Sequence, residues 1–490
     1  MSTRPTSTQV EGFQIAAPPK PKGAPEPKWD ELEPLPGGGD GVPIVISNNP
    51  EIFTGTGLLA GSVQPSASSA RGTTQPLPAL TDFAYYLFHI NRTGGTKRVF
   101  LLASTIGDWP VSATVNGALN ANAWSPGASA SVQTAKALVT HYPISRVVDV
   151  LPGKPAALGY IDVRHGHCVD GRFVVRSTGG LHVRDVAAPY GASAEDALTL
   201  AGARFAPGEI KSPNPATGAM GRCAGLYRHD RWSGSVALEI GETPFVRGFR
   251  FDERAQAFPG LATYRDSDPN SSGNYGSIYE LELAITNATG REALVSVEFA
   301  SYPAQIAPND LKDYWAFLAK RGWALPTRLW DGPAAVTLGG KERVVSIFTK
   351  PSSPNAMRSS LASRVLSAGA NEKLRLRIPV PGLISIPAAI LVRATAANAG
   401  ALAEKEKWTG KTTSLASTST TKTDVATSRL RAKEASAEAP ASSAAPSSAG
   451  PSTAPPPMTD GARPAPPSKF NPEESWTIAF LKERRRARSG

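Results

Sequence analysis

Short β-branched runs, each closed by a cluster of turn residues after roughly 8–12 positions, fill the chain from Pro34 to Ala394. That rhythm constrains the fold more than any other feature, because a period of two with frequent breaks suits strands and excludes long helices. Gly 45 and Pro 44 in 490 residues point the same way, since Pro breaks helices and Gly ends them. The clearest half-buried strand is Ile278–Ile285 in YGSIYELELAITN. Hairpins are expected where DFAYYLFHINR meets KRVFLLASTIG across TGGT, and where two strands flank Gly339-Gly340. GRFVVRSTGGLHVRDVAA reads as strand, Gly-Gly turn, strand, and ALVSVEFASYP as the partner of the 278–285 strand. Short helices are expected near 131–140, at 192–203 with Ser193 as cap, and at 309–323.

Past Lys407 the rhythm stops. Ser, Thr, Ala, Pro and scattered Lys remain, and no aromatic residue stands between Trp408 and Phe470. Such a composition buries too little apolar surface to offset chain entropy. The expected organisation is therefore mainly β, with tandem β-sandwich-like domains, few short helices, and a disordered arm and tail. Residues 1–30 form the arm, 31–190 the first domain, 191–226 a linker with a short helix, and 227–397 the second domain. Residues 398–470 form a disordered linker and 471–490 a basic docking segment.

The net charge of +11 implies attraction to polyanions or an anionic membrane surface, or simply solubility. The N-terminal stretch carries no apolar core of a secretory signal, and no run of about 18 apolar residues predicts a spanning helix. Residues 380–394 are apolar but broken by Pro381 and Pro387, and read as buried strands.

The order of several motifs resembles an uncharacterised family of bacterial exported proteins, a domain of unknown function found mainly in cyanobacteria. The matching stretches are LPGGGDGVPIVISNNPE, DFAYYLFHINR, VLPGKPAALGYIDV, DGRFVVRSTGGLHV, SGNYGSIYELELAITN and KLRLRIPVPG, spanning about 34–394. The resemblance implies a β-rich envelope or secreted protein with no assigned activity, and so no catalytic residues to carry over.

Candidate sites are sparse. His165, His167 and Cys168 in RHGHCVDGR are the metal-like cluster. On a strand, alternate residues share a face, so both imidazoles could meet one zinc or copper ion, with His182, Cys223 or His229 completing the set. The alternative is a polar strand end beside a buried Cys. Cys168 and Cys223 could form one disulfide. The Asp/Asn/Ser/Gly-rich stretch 267–277 could coordinate calcium or form an ordered turn. Trp109, Trp124, Trp232 and Tyr275 could present a sugar-stacking platform or be core. No nucleophile elbow, phosphate loop or dinucleotide fingerprint follows a strand.

The last segment is sharper. Trp476, Phe480 and Leu481 precede Arg484, Arg485 and Arg486, and acids at 473–474 with arginines at the far end favour a helix. Aromatic anchors beside a basic cluster suit an anionic membrane or a protein partner's groove better than nucleic acid. Three function classes follow: a non-enzymatic envelope or secreted β scaffold with a tethered docking end, a carbohydrate-binding or carbohydrate-active protein, and a cytoplasmic docking or cargo protein. No cofactor is implied.

Overall fold

The computed structural model describes residues 27–65, 72–73, 77–123, 129–209, 223–251, 256–271, 274–302, 330–349, 357–380 and 388–397. The expected helix at 309–323 and the docking segment 471–490 lie outside them, as do most of the arm and the linker 398–470. Within the described residues the chain is mainly β. In chain order the strands begin β1 (Glu33–Pro34), β2 (Gly38–Asp40), β3 (Ile44–Ser47), β4 (Ile52–Phe53), β5 (Gly57–Gly61), β6 (Leu80–Asn91), β7 (Lys97–Thr105) and β8 (Val111–Asn122). After helix α1 (Ala130–Thr140) come β9 (Ile144–Val150), β10 (Ala156–Val163) and the 22-residue β11 (Cys168–Pro189). Helix α2 (Ala194–Ala203) precedes β12 (Gly208–Glu209), β13 (Ala224–Tyr227), β14 (Arg231–Ile240), β15 (Phe245–Phe251), β16 (Gly260–Thr263), β17 (Ile278–Asn287) and β18 (Ala293–Ser301). The last strands are β19 (Trp330–Leu338), β20 (Lys341–Thr349), β21 (Arg358–Leu366), β22 (Asn371–Pro379) and β23 (Ala388–Ala396).

Two large cores result. The first lies against a 12-stranded sheet whose main path runs β10-β7-β11-β6-β3-β13-β16, and it buries Phe53, Phe83, Tyr85, Leu101, Phe173 and Tyr264. The second fills a sandwich of a 5-stranded sheet (β1-β15-β23-β18-β21) and a 6-stranded sheet (β2-β14-β17-β22-β19-β20), around Phe251, Leu283, Phe299, Trp330 and Ile390.

Strand β11 organises the first sheet. Its first half lies between β6 and β8, and its second half between β7 and β5. The Gly-Gly turn expected here does not form. The register shifts between Arg176 and Leu181, and the strand continues past Gly179 and Gly180, which Val111 and Ile106 approach closely. The expected 82–107 hairpin also fails, because β11 is inserted between β6 and β7. Likewise β17 and β18 are not partners: β17 pairs with β14 and β22, whereas β18 sits in the opposite sheet between β21 and β23.

Three local expectations held. Ser193 caps α2, accepting from Asp196 N, while the Asp196 carboxylate bonds back to Ser193 N. The β19–β20 hairpin turns through Gly339 and Gly340, both at positive φ, as a two-residue turn requires. Buried residues alternate along β17 as its sequence period predicts.

The cores divide the chain differently from the expected 31–190 and 227–397. Strands β1 and β2 join the sandwich, pairing with β15 and β14, while β13 and β16 join the first sheet through β3. The expected linker 191–226 contributes β13 to the first core, and α2 to a smaller cluster with Phe100, Leu102 and Val186 of the same sheet, rather than separating two domains. Structure already begins at the end of the expected arm, where the turn Trp29–Glu31 sets Trp29 against Tyr302 at 5.6 Å. Helix α1 packs on β8 and β11 with one side and on β19 and β22 with another, and Arg377 Nη2 donates to the carbonyl of Val139 (3.1 Å).

Candidate functional site

The side chains capable of chemistry gather inside the first core, on neighbouring strands. Ser47 on β3, His89 on β6 and Asp185 on β11 are all fully buried. Ser47 Oγ stands 2.8 Å from both His89 Nε2 and Asp185 Oδ2, and His89 Nε2 stands 2.8 Å from the same carboxylate oxygen. His89 Nδ1 faces the carbonyl of Pro50 at 2.7 Å. The residue types match a nucleophilic triad, but the geometry does not. A relay places hydroxyl and carboxylate on opposite ring nitrogens. Here both meet Nε2, and all three side chains are fully buried. The trio ties three strands together.

A second buried network lies along the same sheet. Asp170 Oδ2 accepts from Tyr86 Oη (3.1 Å) and from Ser131 Oγ of α1 (2.7 Å), and burial pushes its carboxyl up to about 6 despite these bonds. Two residues on, Arg172 is 1% exposed; its Nε donates to the Gly276 carbonyl (2.6 Å) and its Nη2 to Asp230 Oδ2. The other Asp230 oxygen accepts from Val42 N (3.0 Å). Gly276 is at φ +79, and a Cβ there would meet the Tyr86 ring at 2.2 Å, so this close approach requires glycine. Arg172 thus pins the loop entering β17 onto the first sheet. A buried Arg in a Gly-flanked strand and a His inside the apolar run of β6 were the available sequence signals, and neither was read.

The sequence candidates are not brought together. His165 lies in a turn around Gly166 (φ +77), where its Nδ1 accepts from Gly94 N (3.1 Å), so the strand geometry that would align it with His167 is absent. Burial, then Arg164, hold His167 below the ordinary histidine range. Among the described residues no group of three His, Cys, Asp or Glu side chains converges as for a metal. Cys168 and Cys223 are buried but not joined. Each thiol donates instead to a backbone carbonyl, of Asn122 (3.4 Å) and Asn270 (3.7 Å) respectively. In the stretch considered for calcium, Asn274 spends its amide on the Gln256 carbonyl (2.6 Å) and Tyr279 Oη (2.8 Å), the chemistry of an ordered turn. Residues 272–273 lie outside the described set.

The aromatic platform disperses as well. Trp232 is half-buried, stacked near Phe258 and Tyr279 with its Nε1 donating to the Pro36 carbonyl (2.9 Å), and Tyr275 packs against both Trp232's cluster and the sandwich core. Trp124, with the partner residues Trp476, Phe480, Leu481, Arg484, Arg485 and Arg486, lies outside the described residues. Trp109 remains, 82% exposed in the β7–β8 loop.

Two surface features emerge, of whose residues the sequence had singled out only Trp109. Arg98 is held bidentately by Asp162 (2.8 and 3.1 Å), with Tyr160 and Tyr190 at 4.9 and 5.9 Å from its guanidinium carbon, and both rings are largely exposed. At the end of β7, Ile106 and Trp109 stand out to solvent beside Leu151, which follows β9. No helix among the described residues is long and apolar enough to cross a membrane.

No family model and no curated protein matches the chain. Among solved structures, the tandem CBM22-1-CBM22-2 domain of Paenibacillus barcinonensis Xyn10C aligns over 64% of this chain and 82% of its own at 7% identity, with a TM-score of 0.12. The CUB1-EGF-CUB2 fragment of human MASP-1/3 aligns over 67% of this chain and 100% of its own at 9% identity, with a TM-score of 0.15. These likenesses are too slight to carry an argument.

Proposed function

We propose that the chain is a non-enzymatic β scaffold of the cell envelope or secreted space, which docks through its basic C-terminal segment 471–490. The observation that supports this reading is where the reactive side chains go. His89, Asp185, Asp170 and Arg172 are at most 1% exposed and are spent on one another and on backbone groups, holding strands in place. A protein built this way acts through its surfaces. Deleting 471–490 should release it from the envelope fraction and leave its melting temperature unchanged. Retention of the truncated protein at the same salt concentration, or a markedly lower melting temperature, would remove the docking role.

A glycan-binding reading is favoured by one observation, the exposed Tyr160 and Tyr190 rings fixed beside Arg98. Aromatic faces stack on pyranose rings, and a clamped guanidinium keeps the rings in place without a ligand. Retardation in gels cast with soluble polysaccharides, abolished by Tyr160→Ala with Tyr190→Ala, would establish it. Equal mobility of both proteins in every polysaccharide tried would discard it.

A further inference from the structure

Four of the eight large hydrophobic side chains exposed among the described residues belong to one stretch of the first sheet: Ile106 (59%), Trp109 (82%), Val147 and Leu151 (43%). Strand pairing brings three of them to one end. The register Val111↔Val150 sets the loop before β8 beside the turn after β9, so Trp109 and Leu151 leave adjacent strands at the same end. Ile106 leans over Gly180, and Val111 over Gly179, which fixes the β7–β8 loop against the bend of β11. The apolar tip is therefore held by packing at its base while its side chains point to solvent.

We propose that this tip, Ile106, Trp109 and Leu151, inserts into the interfacial layer of a lipid bilayer. Three arguments select that occupant. The tip is formed by two adjacent connections, the β7–β8 loop and the turn after β9, whose apolar side chains stand out to solvent. Its exposed area, on the order of 400 Å² for three such side chains, is typical of a functional patch. It is about half of the ~800 Å² that each partner gives to a stable protein interface, which argues against a second copy. Finally, an amphipathic indole at a projecting loop end is the side chain favoured at the headgroup boundary. The charges around the tip are mixed: Asp108, Asp149 and Lys154, with Arg176 facing Asp82 at 3.7 Å. Attachment here is apolar and indifferent to lipid charge, unlike that proposed for the arginines of 484–486.

The inference takes its setting from the envelope reading above, but its test does not depend on the C-terminal segment. Full-length protein is mixed with neutral phosphatidylcholine vesicles at 1 M salt, where the Debye length is about 3 Å and arginine attraction is screened. Binding by flotation should persist there. It should fall about tenfold in Ile106→Ser/Trp109→Ser, and stay unchanged in Arg484→Ala/Arg485→Ala/Arg486→Ala. Trp109→Phe should keep binding and lose most of the tryptophan quenching caused by brominated lipid, which places the indole itself in the bilayer. Folding is controlled by the melting temperature, which an 82%-exposed side chain should not move. No flotation on neutral vesicles overturns the tip. So does binding lost only with the arginines, which would leave the docking segment as the membrane contact. Loss of self-association, rather than of lipid binding, in Trp109→Ser would reassign the tip to an interface between copies.

Discussion

The two cores use the same strand chemistry and fill their interiors differently. The sandwich is packed with rings: Trp330 lies 4.6 Å from Phe299, and Phe251 lies 5.0 Å from Tyr279 and 5.8 Å from Phe299. Many of its charged pairs stand at or near the surface, such as Glu282 with Lys373 and Arg375. The first core encloses the polar trio of Ser47, His89 and Asp185, while on the other face of its sheet Arg172 is buried beside Asp230, as Arg393 is beside Glu298 in the sandwich. Apolar packing is tolerant of small errors in register, because neighbouring hydrophobes can substitute for one another. Buried charges are not, since each requires one partner at one distance. The first sheet needs that precision: β11 changes partners halfway along, and Asp185, Asp170 and Arg172 all project from it at fixed positions.

The sharpest way to break this contrast is Arg172→Leu. It should cost about 3–5 kcal/mol by leaving Asp230 buried without its cation. Adding Asp230→Asn should recover a large part of the loss, as read by urea denaturation. If the single variant costs under about 1 kcal/mol, Arg172 does not pin the β17 loop to the first sheet. Trp330→Ala should cost about 3–4 kcal/mol through the cavity it leaves. No second substitution among polar residues should rescue it, and its cost should be the same at every pH.

The Asp170 carboxyl sharpens the comparison through pH. Its value is raised to about 6 in the fold, from an ordinary value of 3.8. The folded state therefore binds more protons than the unfolded chain between these limits. Stability falls as pH rises from about 4 to about 6, by at most ~3 kcal/mol from this group alone. Asp170→Asn keeps a partner for Ser131 and should flatten that slope in chemical denaturation from pH 4 to 7. A slope identical to that of the parent protein would mean that Asp170 is ionised without penalty. The smallest effect belongs to a local feature: Ser193→Ala should cost about 1 kcal/mol by removing the α2 cap. It should leave the sandwich untouched in hydrogen exchange.

What was legible in the sequence was local. The Ser193 cap, the Gly339-Gly340 hairpin and the alternation of β17 each depend on residues within a few positions of one another. Partner choice was not legible. TGGT between β6 and β7 has the composition of a hairpin turn, yet Leu80 and Thr105 both pair with Leu181 of β11, which arrives some 80 residues later. The buried ions were hidden for the same reason, because Asp185 becomes a partner of His89 only once β11 has threaded the sheet. Trp109 stood out as an aromatic in Asp-Trp-Pro, but Leu151 joins it only through the Val111↔Val150 register. His165 and His167 were aligned on paper by a strand that is a turn in the fold.

The swapped membership of the terminal strands has a consequence for how the chain is made. Glu33 and Pro34 pair with Phe249 and Arg250, and that strand in turn lies against Ala388–Ala394. During synthesis the earliest strand of the sandwich must therefore wait for Phe249 and Arg250, and their strand in turn for the last one. Meanwhile Ile44–Ser47, a few residues later, waits for Ala224–Tyr227. Neither core can close behind the ribosome in sequence order, so the nascent chain carries unpaired strand edges until nearly four hundred residues have emerged. A cut between the two cores would sever strands from sheets on both sides of it.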